Sequence, residues 1–192
     1  AAKDALIIAN DIHEIKKEYY LILRGLSDAL QTEDGPLRLE FGELFSLLRS
    51  PVEQIASAAH KTLSFEVKGR SSFRTGHVYE LLSVFRNLFT NAVEASKNDQ
   101  VFIQVTLEET ADEILCTVTD HGQGIPPDAL SQIFDAGFST KINYETGEIS
   151  RGLGLNIVKG IVEENLGGCI HADSRPGNTC FSIRLPKETL EG

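Results

Sequence analysis

A strict heptad seam runs through residues 4–30 and constrains the fold more than any other feature of the sequence. Its apolar positions recur at alternating spacings of four and three residues: Ile8, Ile12, Ile15, Tyr19, Ile22, Leu26 and Ala29. That repeat predicts one long helix with a narrow apolar stripe. Such a stripe needs a partner helix. We expect it from a second copy of the chain, which would make the protein a homodimer through this helix. The alternative is a helix that lies on its own domain.

Turn-forming residues at 31–36, including Gly35 and Pro36, end this helix and mark a domain boundary. We therefore expect a dimerisation helix at 1–31 and a second domain at 37–192. In that domain, helices are predicted at 41–60, 78–95 and 153–164, and strands at 62–68, 101–107, 114–119, 169–173 and 179–185. Pro51 should kink or divide the first of these helices. This order predicts an α+β fold, a two-layer α/β sandwich preceded by the long heptad helix.

The charge balance restricts the classes of partner. There are 28 acidic and 18 basic side chains, for a formal net charge of −10, which disfavours nucleic acid and acidic membrane surfaces. The three cysteines have no CxxC spacing, which suits a reducing compartment, so we expect a cytoplasmic location. No apolar run is long enough to span a bilayer. The chain contains no Met, which indicates a fragment of a longer protein whose other parts can include a membrane anchor.

Three polar side chains, those of Asn87, Asn91 and Asp120, occupy positions where the pattern predicts apolar residues. Asn87 and Asn91 lie four residues apart on one face of an apolar helix, where buried amides need partners. They predict either an oxygen-rich ligand or hydrated metal, or an internal polar network. Asp120 ends a strand at an inward position, where a carboxylate is costly unless it is paired, for example with the amino group of adenine. Gly122 and Gly124 would let the backbone approach a flat ligand; the alternative is an ordinary glycine turn.

A second glycine-rich segment contains Gly152 and Gly154 and runs directly into a predicted helix. Backbone N–H groups at a helix N-terminus can hold a phosphate despite the acidic balance of the chain. The spacing matches neither a P-loop nor a Rossmann motif. Upstream, Lys141 precedes a polar stretch at 142–149 that is typical of a mobile lid, and its ammonium could reach a terminal phosphate.

Taken in order, these motifs are specific. The series N-x-x-x-N, D-x-G-x-G-I, G-F-S-T-K and R-G-L-G-L resembles the ATP-binding domain of sensor histidine kinases. That domain belongs to the superfamily shared with gyrase, Hsp90 and MutL. The resemblance covers roughly residues 37–186 and includes G-N-T-C-F at 177–181. In motif style the chain is most similar to citrate-sensor and nitrogen-regulation kinases.

The resemblance implies ATP and Mg²⁺ as cofactors and assigns roles to individual residues. Asn91 would hold Mg²⁺, Asn87 would contact phosphates, and Asp120 would accept a hydrogen bond from the adenine amine. Lys141 would meet the γ-phosphate, and Thr179 would back the adenine site. The residues implied to shape the nucleotide pocket and its lid are Gly122, Gly124, Gly152, Leu153, Gly154 and Leu155.

Three positions bear on the reaction. The superfamily's hydrolases and serine kinases typically carry Glu, as a general base, where this chain has Asn87. An amide cannot accept a proton at neutral pH, so Asn87 favours transfer to a group that is already nucleophilic, such as a neutral imidazole. Ser150 stands where many histidine kinases have Gly, which should stiffen the lid hinge. Glu94 stands where many have Lys or Arg, so one cation for the phosphates is missing.

The sequence H-E-I-K-K, which begins at His13, resembles the phosphoacceptor box of sensor kinases. His13 should flank the seam and face solvent, and Glu14 could polarise its imidazole. Alternatively, the acceptor lies on an upstream helix, because such kinases normally place two helices before the ATP domain. The resemblance implies transfer of the γ-phosphate to a histidine, for relay to a response-regulator receiver domain. The alternatives are a serine/threonine kinase or ATPase of the same superfamily, and a non-catalytic nucleotide-binding dimerisation module.

Overall fold

The structure is a computed structural model that describes residues 2–30, 36–138 and 154–192. Its helices are α1 (Ala2–Leu30), α2 (Phe41–Ala58), α3 (Val78–Ala95), α4 (Pro127–Leu130), α5 (Gly154–Gly160), which continues as a π-helical turn over Ile161–Asn165, and α6 (Lys187–Leu190). Its strands are β1 (Leu39–Glu40), β2 (Thr62–Gly69), β3 (Arg74–Thr75), β4 (Gln100–Glu109), β5 (Glu113–Asp120), β6 (Cys169–Arg175) and β7 (Asn178–Pro186). No helix within these described ranges combines the length and the apolar character needed to cross a membrane.

The main sheet has five strands in the order β2-β4-β5-β7-β6. The pairs β4–β5, β5–β7 and β6–β7 are antiparallel, whereas β2 pairs with β4 in parallel. Inward residues of β4 and β5 alternate with more exposed ones, as in a sheet with one face covered by helices. Helices α2 and α3 cover that face, and the π-helical turn that continues α5 contacts β6. The predicted α+β two-layer sandwich with a preceding long helix is therefore confirmed.

An aromatic cluster fixes α3 in the helical layer. The rings of Phe45 in α2 and Phe85 in α3 meet edge to face, with centroids 4.9 Å apart at 88°. Phe89 packs in the same way on Phe65 of β2, at 5.2 Å. Such pairs stabilise beyond the area they bury. Because residues 85 and 89 face inward, the opposite side of α3, which carries Asn87, faces out of the core.

Helix α1 lies on its own domain, in contact with α3 and α5. Among the α1 side chains that the structure describes, those of Ile8, Ile15, Tyr19 and Leu23 are the buried apolar ones, whereas the predicted seam residue Ile22 is 52% exposed. Burial thus follows the period of a straight helix rather than the 3.5-residue repeat of a coiled coil. This is the alternative arrangement considered from the sequence. Dimerisation through α1 stays a prediction.

Local differences from the sequence prediction are small. Helix α2 runs through Pro51 undivided, because burial of Phe45, Leu48 and Val52 offsets the hydrogen bond that proline cannot donate. The short pair β1–β3 and the parallel direction of β2 were not predicted. The boundaries of α3 coincide with the predicted residues 78–95.

A carboxylate at the end of β4 ties three segments together. Glu109 accepts hydrogen bonds from Lys187 Nζ at 2.7 Å, Ser71 Oγ at 2.6 Å and the Ser72 N–H at 3.1 Å. The bond from Lys187, followed by that from Ser71, lowers the pKa of Glu109 from 4.5 to about 2. Glu109 therefore stabilises the fold as an anion that holds the 71–73 loop and the start of α6.

The low pKa predicts how stability depends on pH. Because the folded pKa lies below the unfolded one, the unfolded chain binds more protons between about pH 2 and 4.5. The contribution of Glu109 is thus complete above pH 4.5 and is lost as the pH falls toward 2. We expect Glu109→Gln to cost about 1–2 kcal/mol in urea unfolding at pH 7 and only about a quarter of that near pH 2.5. An equal cost at both values would contradict this assignment.

Candidate functional site

A cavity of about 500 Å³ lies between α1, α3, α5, the end of β5 and the start of β7. It brings together most of the site residues predicted from the sequence. Those that line it are Asn87, Asn91, Asp120, Gly124, Gly154, Leu155 and Thr179. Lys141, Gly152 and Leu153 lie outside the described residues.

One end of the cavity, here called the Asp120 end, is polar and preorganised. Asp120 and Thr179 are cross-strand partners at the ends of β5 and β7 and are only 5% and 3% exposed. The Asp120 carboxylate accepts a hydrogen bond from the Gly122 N–H at 2.8 Å. The Thr179 and Ser174 hydroxyls lie 2.7 Å apart, and the Ile125 N–H donates to the Ser174 hydroxyl at 2.8 Å. These bonds hold the polar groups in place before any ligand binds.

Apolar side chains flank these polar groups. Ile125, whose N–H donates to Ser174, and Phe181, two residues after Thr179, line the cavity, as do Ile133 and Phe138. Apolar walls with a few convergent polar groups are typical of sites for flat organic ligands. Adenine combines such a flat face with an amino group that a buried carboxylate can accept from. The residues present therefore fit a nucleoside at the Asp120 end.

The opposite end, here called the Asn87 end, is formed by α3, α1 and the start of α5. Asn87 Nδ2 donates to the carbonyl oxygen of Ser83 at 2.8 Å. The amide oxygen of Asn87 is directed toward Gly154, where an added Cβ would lie only 3.1 Å from it. Ser83 is fully buried, and its hydroxyl donates to the carboxylate of Asp11 in α1. Asn87 thus presents an acceptor to the cavity, which suits a cation or a water molecule directly and a phosphate through one of these.

The charges around the cavity favour a ligand that arrives with a cation. Three described lining residues are acids, namely Asp11, Glu94 and Asp120. Arg86 is the one Lys or Arg among the described lining residues, and it forms an ion pair with Glu18 of α1. Mg²⁺ in nucleotide sites is commonly held by one or two protein oxygens, phosphate oxygens and water. The amide of Asn91 offers such an oxygen, so the residues fit a magnesium–nucleotide complex.

Gly122 and Gly124 are required by backbone packing more than by a ligand. A Cβ at Gly122 would lie 2.7 Å from the carbonyl oxygen of Ala95 at the end of α3. Gly124 has φ +81°, and a Cβ there would lie 2.6 Å from the carbonyl oxygen of Arg175. Of the two glycines, Gly124 lines the cavity. Their absent side chains let the loop after β5 lie against α3 and β6.

His13 and Glu14 are exposed on α1 and do not line the cavity. The residues of α1 that do line it are Asp11 and Ile15. Since successive residues turn by about 100° along a helix, residue 13 lies on the side opposite to residues 11 and 15. The solvent-facing position predicted for His13 agrees with the structure, and the structure keeps His13 away from the Asn87 end.

Sequence reasoning missed several lining residues. Asp11 and Ile15 belong to a helix that we expected to pack on a second copy of the chain and not on its own domain. Arg86 and Thr90 carry a weak signal, because they precede Asn87 and Asn91 by one position and repeat the same four-residue spacing. That spacing predicts a second row of side chains along the face of α3 that carries the two amides.

Comparisons with known proteins agree with this geometry. A family model described as "Histidine kinase-, DNA gyrase B-, and HSP90-like ATPase" matches residues 76–189. The sensor histidine kinase GlnK of Bacillus subtilis is 34% identical over 186 residues, which cover 96% of this chain and 45% of GlnK. The sensor histidine kinase DcuS of Escherichia coli K12 is 34% identical over 194 residues, which cover 91% of this chain and 34% of DcuS. The chain thus spans less than half the length of these relatives.

A solved structure with the same fold is a mycobacterial sensor histidine kinase, MprB. It superposes with a TM-score of 0.63 at 24% identity, over 79% of this chain and 97% of that structure. This likeness establishes the arrangement of the sandwich. It bears on the fold alone.

Proposed function

Because the chain belongs to the histidine kinase-, DNA gyrase B- and HSP90-like ATPase family, we propose that it is the catalytic part of a sensor histidine kinase. In this proposal it binds Mg-ATP and transfers the γ-phosphate to a histidine, for relay to an aspartate of a response-regulator receiver domain. The observation that carries the proposal is one cavity that has buried Asp120 at one end and the amides of Asn87 and Asn91 at the other. The relatives GlnK and DcuS, both described as sensor histidine kinases, support it.

In this proposal each end of the cavity binds a different part of the nucleotide. At the Asp120 end, the carboxylate accepts a hydrogen bond from the adenine amine, and Thr179 backs the ring. At the Asn87 end, Asn91 holds Mg²⁺ and Asn87 orients its hydration shell or the phosphates. When bound, Mg²⁺ neutralises charge on the phosphates as the γ-phosphoryl group leaves. Gly154 and Leu155 begin α5, beside this end.

The absence of a base at position 87 favours transfer to imidazole over hydrolysis of ATP. Activation of water or a serine hydroxyl requires a group that accepts a proton, and the amide of Asn87 cannot. A neutral imidazole nitrogen attacks phosphorus with its own lone pair. The bond from the γ-phosphorus to the bridging oxygen breaks, a P–N bond forms, and ADP leaves with the electron pair. In this proposal Glu14 takes the remaining imidazole proton or holds it by a hydrogen bond.

His13 is the proposed acceptor, and its position on α1 sets a condition for transfer. With α1 docked, residue 13 is turned away from the cavity. Transfer therefore requires either that α1 leaves its position or that His13 comes from a second copy of the chain. The exposed apolar side chains of Leu6, Tyr20 and Leu21 support a homodimer through the outer face of α1. We also propose a cytoplasmic location, since a receiver domain must reach the phosphohistidine.

Labelling with ATP radiolabelled at the γ-phosphate tests this function. We expect acid-labile, base-stable phosphate on the wild-type chain and almost none on His13→Gln, because the amide cannot accept the phosphoryl group. His171→Gln, in strand β6 away from the cavity, is the matched control and should be labelled normally.

Equal labelling of His13→Gln would eliminate His13 as acceptor. Acid-stable phosphoprotein would point to a serine/threonine kinase, and steady phosphate release without phosphoprotein would point to an ATPase. Nucleotide binding with no labelled product, even with a receiver domain present, would support a non-catalytic dimerisation module.

A further inference from the structure

Arg86 on α3 belongs to none of the sequence motifs, and the proposed function assigns it no role. Its side chain lines the cavity beside Asn87. Its guanidinium is ion-paired with Glu18 of α1, and the two side chains are 32% and 46% exposed. The pair therefore joins the N-terminal helix to the wall of the nucleotide site.

The direction of α3 shows which part of a nucleotide Arg86 would meet. Ala95, at the C-terminal end of α3, contacts the loop after Asp120, because its carbonyl oxygen accepts a hydrogen bond from the Gln123 N–H at 2.9 Å. A helix rises 1.5 Å per residue, so Arg86 lies about 13 Å from that point along the axis and Asn91 about 6 Å. If the base binds at the Asp120 end, the phosphates extend toward Asn91 and Arg86.

We infer that Arg86 is a phosphate-binding residue of this site and that Glu18 of the docked α1 competes with the nucleotide for it. The inference rests on the proposed function, since it needs a nucleotide in the cavity. A guanidinium binds phosphate and carboxylate oxygens with the same pair of N–H groups, so Glu18 and a phosphate exclude each other at least in part. Arg86 also replaces the cation that is missing at Glu94.

A further contact of α1 acts in the same direction. The carboxylate of Asp11 lies at the Asn87 end, where it accepts a hydrogen bond from the Ser83 hydroxyl. A negative charge there repels phosphates that arrive without enough cation. Docked α1 therefore both occupies Arg86 and adds an anion to the phosphate end.

The packing of α1 on the domain includes an unfavourable contact that makes its release easier. Tyr19 of α1 is buried, and its hydroxyl has no hydrogen-bond partner among the residues that the structure describes. Burial raises the pKa of Tyr19, so the hydroxyl stays neutral. A buried hydroxyl without a partner opposes docking.

Docking of α1 and binding of the nucleotide are linked through Arg86. A nucleotide that takes Arg86 from Glu18 weakens the docking of α1 by the same factor as docking weakens the binding of the nucleotide. Loading with ATP thereby helps release the helix that carries His13.

A double-mutant cycle read by calorimetry with Mg-ADP and with adenosine tests this inference. We expect Glu18→Gln to bind Mg-ADP about three- to fivefold more tightly, since an exposed ion pair is lost. We expect Arg86→Gln to bind Mg-ADP about tenfold more weakly, since a charged phosphate contact is lost. The double variant should bind like Arg86→Gln alone. Adenosine, which has no phosphate, should bind all four chains equally and so reports that the site is folded.

Glu113→Gln is the matched control. It breaks another exposed pair with an arginine, Arg184, at the end of β5 far from Asp120, and should leave both affinities unchanged. Weaker Mg-ADP binding by Glu18→Gln, additive effects in the double variant, or an equal loss of adenosine by Arg86→Gln would each overturn the inference. If the wild-type chain binds adenosine and Mg-ADP but neither variant changes Mg-ADP affinity, only this inference fails. If it binds neither, the proposed function fails with it.

Discussion

Asp120→Asn is expected to weaken ATP binding by about 30-fold or more, which corresponds to about 2 kcal/mol, while the chain stays folded. The substitution keeps the size of the side chain. One oxygen can still accept from the Gly122 N–H, which donates at 2.8 Å in the structure. The new NH₂ group then faces the adenine amine, so that a donor meets a donor in a site that is only 5% exposed. Calorimetry with a non-hydrolysable ATP analogue measures the loss.

A change of base provides the control for this prediction. Inosine triphosphate has a carbonyl oxygen where ATP has its amino group. The wild-type carboxylate should repel that oxygen, whereas an asparagine amide should donate to it. We therefore expect the preference for ATP over inosine triphosphate to narrow or invert in Asp120→Asn. An unchanged preference would show that Asp120 does not read the base, and equal loss of both nucleotides would indicate a damaged site.

Gly124→Ala is expected to lower the free energy of unfolding by about 2–3 kcal/mol and to abolish measurable nucleotide binding. The backbone at Gly124 has φ +81°, which is costly for any residue with a Cβ. The new methyl group would also lie 2.6 Å from the carbonyl oxygen of Arg175, which belongs to β6 and cannot move without breaking the β6–β7 pair. The loop that lines the cavity must then shift. Urea unfolding and calorimetry measure the two effects.

Gly177→Ala separates the conformational cost from the steric one. Gly177 has φ +82°, yet nothing lies within 4 Å of the position that its Cβ would take. We expect this variant to lose about 1 kcal/mol and to keep its affinity for nucleotide. Equal losses in the two variants would mean that the clash with Arg175 is relieved at no cost.

The helical layer and the centre of the site were predictable because their signals are local. The apolar period of α3 set its boundaries correctly at Val78–Ala95 and placed Asn87 and Asn91 on one face. The alternation of β5 placed the carboxylate of Asp120 at an inward position, and it is buried. The family resemblance drawn from the order of the motifs is confirmed by the matching family model.

The position of α1 was not predictable, because the same apolar residues can pack on a second helix or on the domain itself. Over a few turns the two arrangements differ by little more than which of Ile22 and Leu23 is buried. Asp11 was missed for this reason, since its place beside the cavity depends on where α1 lies. The parallel pairing of β2 with β4 depends on contacts between distant residues, which periodicity does not report.

That parallel pairing has a consequence for assembly of the domain. Hairpins join β4 to β5 and β6 to β7, so these pairs can form from neighbouring segments. Strand β2 reaches β4 only through a crossover that contains α3, so a loop must close before the contacts of this parallel pair can form. The helix that carries both amides of the site is therefore part of the connection that adds β2 to the sheet. A nucleotide held by α3 would bind only the folded domain, so nucleotide binding and the pairing of β2 with β4 would be thermodynamically coupled.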